Sequence, residues 1–240
     1  EKKRKDNIFL TICGFGMGNY KDDRMEAISN AGNGNYYYID DIMEAKKVFV
    51  KELRATLFTI AKDVKIQVEF NPTLVKSYRL VGYENRLLNK ADFDDDKKDA
   101  AELGAGHTVT ALYEIERMGK TGKKRPTDLK YQHLVLNDNP AYANELMTLK
   151  LRYKKPKGSK SILISKVLKN KSVSLKRSSD NYKFSAAVAA FGQVMRDSKY
   201  KGSIDLKGII QLAKRGKGKD EDGYRAEFIK LVERTQLLEK

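Results

Sequence analysis

Residues 8–44, IFLTICGFGMGNYKDDRMEAISNAGNGNYYYIDDIME, read as strand, glycine turn, helix, strand and helix. Ile8, Leu10 and Ile12 alternate with Phe9, Thr11 and Cys13 in a nearly all-apolar run, the pattern of a parallel strand buried on both faces. Such a strand needs neighbours, and one further candidate, Tyr36–Ile39, follows before the pattern changes. The expectation is a chain that starts inside an α/β sheet, with Cys13 as a buried, inert thiol. A single cysteine forms no internal disulfide.

Asp23 is placed to cap the first helix with Glu26 three residues on, and Gly32 to stop it. A long second helix is expected from about Asp41, because Ile42, Ala45, Val48, Phe49, Leu53, Leu57 and Ile60 recur at helical spacing. At Asp63 the period switches to two. Val64, Ile66, Val68 and Phe70 alternate with Lys65, Gln67 and Glu69, as in a half-exposed antiparallel strand. Further strands are expected at Ser77–Tyr83, His107–Ile115, Glu145–Arg152 and Ser161–Val167. The acidic Asn89–Glu102 and the basic Arg117–Lys130 read as exposed loops.

From Asp180 the helical period returns, with stripes at Phe184, Ala187, Val188, Phe191 and Met195, then at Leu206, Ile209, Ile210 and Ala213, then at Tyr224, Phe228, Leu231 and Val232. The fold class is therefore α+β. A partial α/β unit spans 1–62, an antiparallel β-sandwich 63–179, and a helical segment packed on the sandwich 180–240.

Charge is unevenly spread. The net +16 is zero over 1–110, +11 over 111–180 (17 basic against 6 acidic groups) and +5 over 181–240. One reading is a solubilising lysine-rich surface. The other is a polyanion-docking surface with Lys154, Lys155, Lys157 and Lys160 as contacts. The few aromatics near those lysines, Tyr131, Tyr142 and Tyr153, sit at alternating positions that favour packing over base stacking, which argues against nucleic acid.

Gly14, Gly16 and Gly18 follow a buried strand, and Asp40 ends the next one, which mimics a dinucleotide fingerprint. The third glycine belongs at Asn19, however, and Asp22 and Asp23 at the helix start repel a pyrophosphate. Asp92, Asp94 and Asp96 have the alternate spacing of a calcium loop, but Lys97 replaces its glycine and Leu103 its terminal glutamate. Asp220 and Asp222 read as capping or solvated charges. His107 and His133 have no cysteine or second histidine at ligand spacing. No serine or cysteine sits in a nucleophile motif. No catalytic residue, metal ligand or cofactor is assigned, and the chain is read as a non-enzyme.

The stretch TICGFGMGNYKDDRMEAISNAGNGNYYYIDDIMEAKKVF resembles the final third of a bacterial von Willebrand factor type A domain. AKDVKIQVEFNP, YRLVGYENRLL, GAGHTVTALYEI, FSAAVAAFG and DGYRAEF are similar to the C-terminal region that follows that domain in one family of bacterial envelope proteins. Such domains bind protein ligands through a metal held by an Asp-x-Ser-x-Ser loop, a threonine and an aspartate. None of those segments lies in this sequence, so no metal ligand is carried over. The resemblance implies a non-enzymatic protein-binding or scaffold role in the bacterial cell envelope, as a periplasmic or surface lipoprotein. Its membrane link would run only through an N-terminal anchor outside this sequence. Gly14, Phe15, Gly16, Met17, Gly18, Asn19 and Tyr20 form the candidate ligand-face loop. The Ile8–Cys13 strand, lacking a neighbour on one side, is expected to have its edge covered, by self-association or by a segment of the same chain.

Overall fold

The computed structural model describes residues 10–16, 21–32, 34–83, 87–98, 100–119 and 139–238. Its strands are β1 (Ile12–Phe15), β2 (Tyr36–Ile39), β3 (Thr59–Phe70), β4 (Val75–Val81), β5 (Ala101–Gly104), β6 (Leu112–Arg117), β7 (Glu145–Lys154) and β8 (Ser161–Lys169). Its longer helices are α1 (Asp22–Ala31), α2 (Ile42–Lys46), α3 (Leu53–Leu57), α4 (Asp180–Met195), α5 (Leu206–Arg215) and α6 (Tyr224–Leu238). The chain is α+β. It forms two compact units, one from Glu1–Phe70, Leu88–Val109 and Met147–Leu168, the other from Asn71–Leu87, Thr110–Leu146 and Lys169–Lys240. These units interleave along the chain and cut across the boundaries expected at residues 62 and 179. The strands read as one sandwich divide between a four-stranded sheet, β5-β3-β7-β8, and a separate two-stranded sheet, β4-β6, that belongs to the other unit.

In the first unit β1 and β2 run parallel, Ile12 opposite Tyr36 and Phe15 opposite Ile39. Gly34 makes the approach to β2 possible: a Cβ there would lie 1.7 Å from the Leu10 carbonyl oxygen. Gly32 ends α1 as expected, but Asp23 does not cap it; the N-cap is Lys21, without a side-chain bond. The Asp22 carboxylate accepts the Tyr36 hydroxyl at 2.5 Å instead. Cys13 is half-buried rather than buried, and that desolvation pushes its thiol up. Ile8 and Phe9 lie outside the described residues, as do residues 120–130 of the basic Arg117–Lys130 stretch.

The long second helix is interrupted. Asp41 caps α2 by accepting the Glu44 N–H at 2.8 Å, a π turn spans Lys47–Lys51, and α3 ends at Leu57. Ile60 lies in β3, where β-branched Thr59 and Ile60 favour extended backbone. The apolar stripe is largely exposed: Val48 is buried, while Ile42, Phe49, Leu53 and Leu57 are not.

β3 starts four residues before the expected switch at Asp63 and carries a bulge. The register shifts between Lys62 and Lys65 on the β7 side and between Ala61 and Val64 on the β5 side. At its centre Asp63 adopts a left-handed φ of 50°. Beyond it the expected faces are exchanged at two positions: Lys65 is buried and Ile66 exposed. The buried ammonium is satisfied by the Asp95 carbonyl oxygen at 2.5 Å.

In the second unit β4 and β6 pair antiparallel, Tyr78 opposite Ile115 and Val81 opposite Leu112, and β6 begins later than the expected His107. The helices then build the core. Ala187, Leu206, Ile209, Ile210, Ala213, Ile229 and Val232 are buried together, and Phe228 sits edge-on to Phe184 and Phe191 at 5.3 and 5.6 Å. Val188, Met195 and Leu231 of the expected stripes stay exposed. Asp220 caps α6, as the sequence reading allowed, its carboxylate accepting the Arg225 and Ala226 N–H groups at 3.0 and 2.8 Å. Arg225 in turn donates to the Gly216 carbonyl (2.7 Å) and to Asn181 Oδ1 (2.5 Å), tying the ends of all three helices.

Ile209 has no exposed surface and sits in the middle of this cluster. Ile209→Ala is expected to lower the stability of the chain by about 2–5 kcal/mol in chemical denaturation, the range for a buried aliphatic truncation. A loss below about 1 kcal/mol would mean that the three helices do not share one core.

Candidate functional site

The second unit contains a cleft of about 420 Å³ lined by Arg79 and Leu80 of β4 and by Gln193, Arg196, Ser198, Lys199 and Tyr200 at the end of α4. The sequence builds its rim by stopping α4 sharply. Asp197 takes a left-handed φ of 46°, its N–H reaches the Val194 carbonyl at 3.0 Å and the Ser198 N–H the Gln193 carbonyl at 2.9 Å. Ser198 Oγ then accepts the Tyr200 N–H at 3.2 Å. Lys201 clamps the turn from outside, its ammonium 2.5 Å from the Asp197 carboxylate. That bond, and next the charge of Lys201, hold the Asp197 carboxyl below the usual carboxylate range.

Two cations meet one ring. The Arg79 guanidinium lies 4.0 Å over the Tyr200 ring and the Lys199 ammonium 5.0 Å from its centre. Arg79 also reaches Glu114 at 2.5 Å, on an exposed carboxylate. At the base Gln193 is 6 % exposed, and its Oε1 has no hydrogen-bond partner. Among the described residues the lining has three cationic side chains and no carboxylate, histidine or cysteine. It favours an anionic group that also carries a hydrogen-bond donor for Gln193.

None of the sequence-selected residues that are described lines this cleft. Gly14 is buried in β1, Phe15 is 62 % exposed, and Gly16 turns the chain at φ 90° while its carbonyl accepts the Tyr38 hydroxyl at 2.8 Å. Met17, Gly18, Asn19 and Tyr20 lie outside the described residues. Lys154 is corrected as a polyanion contact. Its ammonium sits 2.7 Å from Asp63 and donates to the Asp96 carbonyl at 2.7 Å, and its side chain is only 13 % exposed. Lys155, Lys157 and Lys160, in the connection between β7 and β8, are exposed.

The acidic stretch is likewise engaged. Phe93 is buried, Asp94 meets Arg152 at 2.7 Å, and Asp92 meets Lys98 at 3.2 Å. The Ser161 hydrogen bond, then Lys154 and Arg152, hold the Asp96 carboxyl below its usual range. Among the described residues no group of three His, Cys, Asp or Glu side chains is placed to hold a metal ion. The one signal for the cleft in the sequence is the polar run RDSKYK at 196–201 directly after an apolar helix.

Residues 55–238 match the family model described as "Uncharacterized protein YfbK, C-terminal". The chain belongs to this family. It is 41% identical over 236 residues to "Uncharacterized protein YfbK" of Escherichia coli (strain K12), a match covering 97% of this chain. The chain spans only 40% of that relative's length. No solved structure matches. The cleft residues from Arg79 to Tyr200 all fall inside the family region.

Because the Asp197 carboxyl is lowered, its pairing with Lys201 stabilises the turn above the ordinary carboxylate range and is lost as pH falls through the folded value. A carboxyl titration followed by NMR is expected to give Asp197 a midpoint below the unperturbed value of about 3.9, returning toward it in Lys201→Met. A midpoint at or above that value would contradict the clamp.

Proposed function

We propose that this chain is the binding part of a non-enzymatic scaffold protein of the bacterial cell envelope, and that its ligand is an acidic segment of a protein partner seated in the cleft. The observation carrying this reading is the meeting of Arg79 and Lys199 on the Tyr200 ring beside Arg196, in a lining without carboxylates. A Glu or Asp side chain, or a chain-terminal carboxylate, offers the charge this lining lacks. The flanking peptide offers N–H groups for Gln193 and a flat face for Tyr200.

The envelope assignment rests on the resemblance to proteins with a von Willebrand factor type A domain. The parallel β1–β2 pair with α1 between its strands is consistent with the end of such a domain. No helix among the described residues is long and apolar enough to cross a membrane.

A broad polyanion surface is the weaker reading, because Lys154 and Arg152 are held by Asp63 and Asp94. Lys155, Lys157 and Lys160 remain available to it. Fluorescence anisotropy with a labelled hexaglutamate peptide separates the two. Lys199→Glu and Tyr200→Ala are expected to weaken binding about tenfold or more, equivalent to about 1.4 kcal/mol. Replacing Lys155, Lys157 and Lys160 together with Glu should change it less than about threefold, since exposed charges contribute little each. The opposite ranking would support the polyanion surface and remove the cleft from the account.

A further inference from the structure

The outer strand of the four-stranded sheet is β8, Ser161–Lys169, sequence SILISKVLK. It follows β7 through a short connection and, among the described residues, no strand pairs with its other side. Its side chains are exposed on both faces: Ile162 36 %, Leu163 49 %, Ile164 51 %, Val167 39 % and Leu168 49 %. An exposed apolar edge strand of this length is a template for another strand.

We infer that β8 pairs antiparallel with β8 of a second copy of this chain, about a two-fold axis through Ser165. Symmetry narrows the choice of occupant and register. In a continuous antiparallel sheet the two-fold stands normal to the sheet, so opposed residues project from the same face. Their numbers therefore share parity. Centring on Ser165 sets Ile162 opposite Leu168 and Leu163 opposite Val167, each twice, one apolar pair on each face. Lys166 then falls opposite Ile164, and Lys169 opposite Ser161, so no cation meets a cation. Centring on Lys166 opposes that ammonium to its own copy. Centring on Ile164 sets Ile162 opposite Lys166 and Ser161 opposite Val167, mismatching both faces. Centring on Leu163 also opposes apolar residues, but it pairs only Ser161–Ser165 and sets Lys160 opposite Lys166, so among registers that pair the whole strand the Ser165-centred one alone matches apolar with apolar on both faces. Lys166 and Lys169 disfavour the shifted pairings and leave the centred one open.

The net charge of +16 opposes association of two copies. Added salt therefore strengthens this dimer, whereas it weakens capture of an acidic strand. Sedimentation of the full chain across micromolar concentrations is expected to show a monomer–dimer equilibrium that shifts toward dimer as salt rises. Ile164→Lys places a like charge opposite Lys166 twice and should weaken the dimer about tenfold or more. Because Ile164 is exposed, the thermal unfolding of the monomer should stay unchanged.

In a Cys13→Ser background, Ser165→Cys should form a disulfide-linked dimer on mild oxidation, since residues opposed across two strands lie within disulfide reach. Ser161→Cys should not, because its counterpart lies eight positions along the ladder, about 27 Å away. A chain that stays monomeric at every salt concentration would overturn the proposal. So would a dimer indifferent to Ile164→Lys, or equal cross-linking at the two engineered cysteines.

Discussion

The first unit depends on one junction, where a bulge in β3 turns the Asp63 carboxylate toward the Lys154 ammonium at 2.7 Å. Both side chains are largely withdrawn from water, at 19% and 13% exposure, so each charge needs the other. The left-handed φ at Asp63 is a strained choice for a residue with a Cβ. The pairing with Lys154 compensates for it. From there the acidic stretch meets both β7 and β3: Asp94 on Arg152 and the Asp96 carbonyl on Lys154 of β7, the Asp95 carbonyl on Lys65 of β3. Buried Phe93 pins its start, with the Arg152 guanidinium 5.5 Å from its ring centre. Much of the positive charge of the strand is spent here on structure.

That use of charge explains where binding is proposed. In the first unit Lys150, Arg152 and Lys154 of β7 face Glu69, Asp94 and Asp63, whereas Lys155, Lys157 and Lys160 in the connection to β8 are exposed. In the second unit three cations line one concavity around Tyr200, with Glu114 meeting Arg79 from an exposed position. The same residue types therefore have different surroundings: Lys154 sits beside a withdrawn carboxylate within the sheet, and Lys199 beside an aromatic ring where the ligand is proposed to bind.

What the sequence made legible follows from how local each signal is. The C-terminal stripes at Leu206, Ile209, Ile210 and Ala213 predicted buried positions because helix faces are set by residues three and four apart. Gly32 likewise stopped α1, a property of the residue itself. The β3 faces were misread at Lys65 and Ile66, while Glu69 and Phe70 fall as alternation implies, because the buried Lys65 ammonium finds its acceptor on the Asp95 carbonyl 30 residues away, which no local pattern shows. The acidic stretch looked like a solvated loop because its partners on β7 lie about 60 residues away in sequence, as with Arg152 and Asp94. The cleft was invisible for the same reason: Arg79 and Tyr200 meet only through the fold.

The central claim is that the Asp63–Lys154 pair organises the first unit rather than decorating it. A double-mutant cycle with Asp63→Asn, Lys154→Met and the double variant, read by chemical denaturation, measures this directly. The account predicts a coupling energy of about 1–3 kcal/mol, with each single substitution costing more than its share of the double because it strands a withdrawn charge. Single effects that add to within about 0.5 kcal/mol would contradict it.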